Sequence, residues 1–191
     1  MGMGVGKPCL LLVADLYHVF IDFMKAFDRV WHAALWATMK KYNISTNLIR
    51  VIKNLYGKAT SAVLLNSSIE DWFRTTVGVQ QRCLLSPTLF NIFLERIMTD
   101  ASEDHEGTVS TGCRTITNLR FTDGIDDLAR EEEEMAKLDE RFDKTSAAYG
   151  MEISAEKTKL MTNNTSGINT GIKVNGQEMR LSQASSTWAQ L

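Results

Sequence analysis

The sequence predicts an α+β fold with helices packed on one face of an antiparallel sheet. Three observations carry this expectation. Short apolar runs flank turn-forming residues, as Thr60–Leu65 and Asp71–Val79 flank Asn66-Ser67-Ser68. Longer stretches repeat their apolar residues at helical spacing. The order along the chain is helix pair, hairpin, helix, hairpin, helix, strands, which suits helices layered on a sheet.

Each element has its own signal. Gly2, Gly4 and Gly6 before Lys7 imitate a phosphate loop, but Met1 occupies the first glycine position and Pro8 the Ser/Thr position, so residues 1–15 read as a variable or disordered N-terminus. Leu10–Phe23 reads as one or two buried strands. Residues 29–42 read as a helix, with Val30, Ala34, Leu35, Met39 and Tyr42 near helical spacing. A second helix covers about Thr46 to Tyr56, with Ser45 as N-cap, Gly57 as stop, and Leu48, Ile49, Ile52, Leu55 and Tyr56 on one face. Ser86-Pro87 opens a helix to about Thr99, since proline at the first helical position loses no hydrogen bond. Thr111-Gly112 and Asp123-Gly124 each read as a hairpin turn. Glu131–Tyr149 is an amphipathic helix with Met135, Leu138, Phe142 and Tyr149 inward, ended by Gly150. Late strands surround Lys157–Met161 and the turn Asn175-Gly176.

Composition narrows the class. The 191 residues are 44% hydrophobic, enough for a sizeable core. The net charge of -2 argues against a self-sufficient nucleic-acid binder. Charge is uneven, however. Residues 1–60 carry eight Lys/Arg against three acids (+5), residues 61–100 are -1, and residues 101–191 are -6. A basic N-terminal half suits phosphates, or else a solvated helix face. Cys9, Cys83 and Cys113 lack metal-site or disulfide spacing and fit a reducing compartment. The apolar run Cys9–Ala14 is too short for a membrane span, so the chain reads as soluble and intracellular, in nucleus or cytoplasm.

The chemistry-bearing stretches are Phe20-Ile21-Asp22-Phe23-Met24-Lys25-Ala26-Phe27-Asp28 and Leu119-Arg120-Phe121-Thr122-Asp123-Gly124. Two aspartates at strand ends are what a two-metal phosphoryl-transfer site needs. An Asp-Gly pair is equally a plain hairpin turn. Together with Gly78-Val79-Gln80-Gln81-Arg82-Cys83-Leu84-Leu85-Ser86-Pro87 and Tyr149-Gly150-Met151-Glu152-Ile153 through Lys159, these motifs lie in the order found in one family. From Leu16 to about Asn175 the chain resembles the reverse transcriptases of non-long-terminal-repeat (LINE-type) retrotransposons.

The resemblance implies a polymerase palm-like domain over residues 16–175, with fingers and thumb truncated and a divergent tail over 176–191. It implies RNA-templated DNA synthesis from deoxynucleoside triphosphates on a DNA primer, with two Mg²⁺ (or Mn²⁺) ions. Asp22 and Asp123 would ligate the metals, close enough to share the pair, with the backbone carbonyl of Phe23 on one ion. Phe27 would lie under the incoming sugar, or serve as a core aromatic. Gln81 would contact the incoming nucleotide. Lys157 would protonate the leaving pyrophosphate, or be a solvated lysine.

Three positions depart from the family pattern. Arg82 stands where the family has Gly, Thr122 where it has Ala, and Gly124 where it has a second Asp. Each change can arise by one transition. Asp127 shares a strand face with Asp123 but lies roughly 13 Å along, and Asp126 points to the other face, so neither replaces the missing acid. The sequence therefore expects an impaired polymerase; a catalytically dead nucleic-acid- or protein-binding module and a functionless relic are the other readings. Missing fingers and thumb would leave some of the large apolar helix residues, among them Trp31, Trp36, Phe90, Phe93 and Leu94, exposed as a patch, or dependent on a protein partner.

Overall fold

A computed structural model describes residues 16–103, 107, 109–111, 114–121, 124–163, 173–174 and 177–179. The glycines at 2, 4 and 6, the expected strand at Leu10–Val13, Gly112, Thr122, Asp123, the turn Asn175-Gly176 and the tail from Leu181 lie outside the described residues. The helices are α1 (His32–Lys41), α2 (Thr46–Gly57), α3 (Ser86–Ala101) and α4 (Glu132–Ala148). The strands are β1 (Tyr17–Ile21), β2 (Thr60–Ser61), β3 (Leu64–Leu65), β4 (Ser68–Ile69), β5 (Phe73–Arg74), β6 (Ser110–Thr111), β7 (Arg114–Thr115), β8 (Asn118–Phe121), β9 (Gly124–Ala129), β10 (Lys159–Thr162), β11 (Lys173–Val174) and β12 (Gln177–Glu178). The α+β expectation with antiparallel pairing holds. The chain divides into two compact units: one from Met1–Asp22, Asp104–Glu140 and Ser154–Leu191, the other from Phe23–Glu103 and Arg141–Ile153.

The first unit is built on a four-stranded antiparallel sheet in the order β10-β1-β9-β8. Alternation in Tyr17-His18-Val19-Phe20-Ile21 decides its inner face. Tyr17, Val19 and Ile21 are buried, and they stand opposite Ala129, Asp127 and Ile125 of β9. On the other side of β1, Tyr17 and Val19 meet Thr162 and buried Leu160 of β10. His18 and Phe20 turn outward, and His18 Nδ1 lies 3.2 Å from the Asp126 carboxylate.

The second unit holds α1, α2 and α3. Leu35 and Met39 of α1, Ile49, Ile52 and Tyr56 of α2, and Leu89, Phe90, Phe93, Leu94, Ile97 and Met98 of α3 are buried. The buried stripe of α2 runs through 49, 52 and 56, so it is narrower than its apolar composition suggested. Leu48 and Leu55 are half-exposed outside it, as is Tyr42 beyond α1. In α3 Phe90, Phe93 and Leu94 are fully buried, so of the large apolar residues named from the sequence these three are not exposed, whereas Trp31 is half-exposed. Ser45 makes no side-chain cap; its backbone carbonyl instead accepts from the Ile49 N–H at 3.0 Å. Gly57 is the last helical residue rather than the stop. Pro87 sits in the first turn of α3, as expected. Asn66 and Ser67 take φ 46° and 66°, the two left-handed residues of a tight hairpin turn, and Ser68 already belongs to β4. No described helix is long and apolar enough to cross a membrane.

One inner-face residue breaks the rule that buried polar atoms are satisfied. Asp127 is 1% exposed, and neither carboxylate oxygen finds a hydrogen-bond partner among the described residues. Its neighbours across the ladder are Val19 and Asn118. Burial pushes its pKa up from 3.8 to about 7; adjacent Asp126 pushes the same way and Arg120 pulls it down. The folded chain therefore holds this proton more tightly than the unfolded chain does. Its stabilising effect is complete below about pH 4 and is lost as pH rises through about 7. About three pKa units correspond to roughly 4 kcal/mol. Asp127→Asn should flatten the pH dependence across that window and raise stability at pH 8 by up to that amount. Denaturant melts of both chains from pH 4 to 8 check it; parallel curves would remove Asp127 as the cause.

Candidate active site

In the first unit the candidate residues gather where β1 ends. Asp22 is the next residue after β1, half-exposed, and its carbonyl accepts from the Ser154 N–H at 2.8 Å. Ser154 in turn accepts from the backbone of Lys157 (3.2 Å) and Thr158 (2.9 Å). That turn brings Lys157 Nζ to 3.4 Å from Asp22 Oδ1. The pair is solvent-exposed and contributes little to stability. Its importance is placement, because it sets a cation beside the carboxylate that ends the strand.

The register across β1 and β9 fixes what faces Asp22. Ile21 stands opposite Ile125, so one step further puts Asp22 opposite Gly124. Directly opposed residues in an antiparallel pair have Cβ atoms about 5 Å apart. A carboxylate at position 124 would meet Asp22 there, and glycine offers none. Gly124 also pairs with Phe121 as the first residue of β9, so it belongs to the strand and not to the turn, where the sequence suggested it. The cause is the ladder itself, which runs unbroken from Asn118 opposite Asp127 to its end. Asp123 and Thr122 lie outside the described residues. Asp126 does lie on the face opposite Asp127, where it pairs with His18.

No group of three or more His, Cys, Asp or Glu side chains among the described residues could hold a metal ion. Asp22 is a suitable hard oxygen donor, but alone it does not fit a pair of Mg²⁺ ions. The chemistry available to the described residues is therefore that of Asp22 and Lys157 themselves.

The second unit carries the other candidates. Phe23 is buried and bridges to Ile153, and the Met24 N–H donates to Glu152 O at 2.8 Å. Lys25, at φ 53°, turns the chain into a single 3-10 turn over Ala26–Arg29, and Arg29 pairs with Glu152. Phe27 is half-buried with its ring stacked on buried Phe90, centroids 4.9 Å apart. It is therefore a packed aromatic that still presents some surface. Gly78, at φ 91°, lies so close to the backbone of Asp28 that a Cβ would meet the Asp28 carbonyl oxygen at 3.1 Å. Gln81 Nε2 donates to Asp28 Oδ1 at 3.0 Å. Arg82 is exposed and takes φ 64°, a left-handed conformation that glycine adopts without strain and arginine does not. Sequence reasoning singled out Gln81 and Arg82 but gave no part to Asp28 or His32. Nothing in their spacing marks them, since their contacts cross about fifty residues.

Comparison with known proteins agrees with these motifs. Residues 12–180 match the family described as reverse transcriptase (RNA-dependent DNA polymerase). The chain is 24% identical over 168 residues to a retrovirus-related Pol polyprotein from a type-1 retrotransposable element R2 of Nasonia vitripennis, covering 88% of this chain and 16% of that protein. It is 28% identical over 168 residues to the RNA-directed DNA polymerase from mobile element jockey of Drosophila melanogaster, covering 86% of this chain and 18% of that protein. It thus spans under a fifth of the length of these relatives. In fold it is similar to telomerase from Candida tropicalis solved with a fragment of telomeric RNA, with a TM-score of 0.62, 19% identity, and coverage of 88% of this chain and 31% of that one. The ordered motifs and this match over most of its length place the chain in the reverse transcriptase family, as a domain related to those of the R2 and jockey non-LTR retrotransposons.

Proposed function

We propose that this domain is the palm of a retrotransposon polymerase, over about residues 16–175, and that this copy is impaired. Residues 1–15 and 176–191 are then variable flanks. The ancestral reaction is RNA-templated addition of deoxynucleotides to a DNA primer 3′-OH, inside the cell, with two Mg²⁺ ions held by acids at positions 22, 123 and 124 and by the Phe23 carbonyl. The observation that supports the proposal is the β1–β9 register, which ends with Ile21 opposite Ile125, one residue before Asp22 and one after Gly124. Lys157 lies 3.4 Å from Asp22, and in this reading it hands a proton to departing pyrophosphate. Phe27, stacked on Phe90, offers its remaining surface to the sugar. Gln81 meets the incoming nucleotide, and the Arg82 guanidinium crowds it. Thr122 adds a third departure beside Asp123.

Primer extension tests the impairment. Losing one acid of a two-metal site costs several kcal/mol of transition-state stabilisation, on the order of 10³-fold in rate. The chain as it stands should extend a primed RNA template at least that much more slowly than its Gly124→Asp/Arg82→Gly variant. Robust extension by the unaltered chain, abolished by Asp22→Ala, would show that the present acids suffice.

Arg82→Gly also has a consequence without substrate. Relief of a left-handed non-glycine residue is worth about 1 kcal/mol. The single variant should melt at higher denaturant concentration, and an unchanged midpoint would show that Arg82 carries no strain.

A second reading, a binding module without catalysis, is favoured by Gly124 together with charge. The Phe23–Glu103 and Arg141–Ile153 unit carries twelve Lys/Arg against eight Asp/Glu, so +4, on a chain of net charge -2. Binding to a primer–template should be weak and fall steeply with salt, because it rests on phosphate contacts. Fluorescence anisotropy at rising salt checks this; a sub-micromolar, salt-insensitive complex would contradict it.

A further inference from the structure

The segment Gly78-Val79-Gln80-Gln81 is held at every residue by its own unit. The Gly78 N–H donates to Val30 O at 2.9 Å, and the Val79 N–H donates to Phe27 O at 2.7 Å. The Gly78 carbonyl lies 2.7 Å from His32 Nε2, and because a carbonyl can only accept, Nε2 carries the proton. Ser86 Oγ donates to the Gln80 carbonyl at 2.5 Å. The two captures share one support. The His32 ring packs against Trp36 and edge-on against Tyr56, with centroids at 5.7 and 5.2 Å. The Tyr56 hydroxyl is 3.5 Å from Ser86 Oγ, and both residues are buried.

We propose that His32 is a positioning residue for Gln81. It acts through the Gly78 carbonyl, and Ser86 is its counterpart at Gln80. The inference rests on the reading of Gln81 as the nucleotide contact. Capturing the carbonyls on both sides of Val79 fixes two peptide planes, so the chain enters Gln81 in one direction. The bond from Gln81 to Asp28 joins two exposed side chains and is too weak to fix that direction alone. The donors that do so are the half-buried imidazole and the buried serine. Ordering the contact before the nucleotide arrives removes an entropic cost from binding.

The test reads the Gln81 side-chain amide by NMR in the full chain, with Mg²⁺–dTTP as probe. His32→Phe keeps a ring between Trp36 and Tyr56 but removes the donor. His32→Gln restores a donor. In His32→Phe the Gln81 amide signals should collapse toward unfolded-peptide positions and dTTP affinity should fall about tenfold, near 1.4 kcal/mol. His32→Gln should recover part of both. If His32→Phe loses its cooperative melt, Ser86→Ala takes its place with the same expected result. Unchanged Gln81 signals and unchanged dTTP affinity in these variants would overturn the proposal. Signals that respond to the variants in a chain with no dTTP affinity would leave the positioning role standing and overturn the nucleotide reading instead.

Discussion

The constraint on which the first unit depends is the antiparallel register of β1 against β9. Side chains alternate strictly along a strand, so one register decides every face at once. With Val19 opposite Asp127, the apolar residues Tyr17, Val19 and Ile21 fall inside, and Asp22 follows the Ile21–Ile125 pair at the strand end. A slip of one residue would bury His18 and Phe20 and turn Asp22 to the other face. The Ser154 turn, anchored on the Asp22 carbonyl, then adds Lys157.

The same register carries the defects. It places a carboxylate, Asp127, in the sheet's inner face, where no described residue donates a hydrogen bond to it. It also begins β9 at Gly124, a residue with no side chain, one step past the Ile21–Ile125 pair and next to the strand end that leads into Asp22. These faults act on different quantities. An uncompensated buried carboxylate weighs on stability and its dependence on pH, whereas Gly124, on the proposed reading, weighs on transition-state charge. Glycine at a strand end is structurally mild, so the proposed impairment is compatible with an intact fold.

The second unit shows a different economy of design. The segment around Gly78 is aligned by backbone carbonyls and by residues from α1, α2 and α3 rather than by its own secondary structure. Gly78 suits this place because its φ of 91° is left-handed and a Cβ would crowd the Asp28 carbonyl oxygen at 3.1 Å. Arg82 shows the opposite case: it adopts a left-handed backbone that does not suit an arginine, so the surrounding turn determines the conformation.

The amino-acid order by itself determined the element types, because periodicities of 2 and 3.6 and turn residues such as Asn66, Pro87 and Gly150 are local signals. It also determined the family, through motifs at Asp22, Gln81, Phe121–Gly124 and Lys157 that keep their order along the chain. It left the register one residue uncertain, reading Asp123-Gly124 as the turn when Gly124 is the first residue of β9. It did not show that Leu48 and Leu55 stand outside the buried stripe of α2, since only the helices packed against α2 define that stripe. The contacts of His32 with Gly78, Asp28 with Gln81, and Lys157 with Asp22 join residues 46 to 135 positions apart. Such pairings leave no trace in local composition, so tertiary packing alone decided them. Asp127 is the sharpest instance: as a letter it is a charged strand residue, and only burial on the inner face makes it a proton-holding acid.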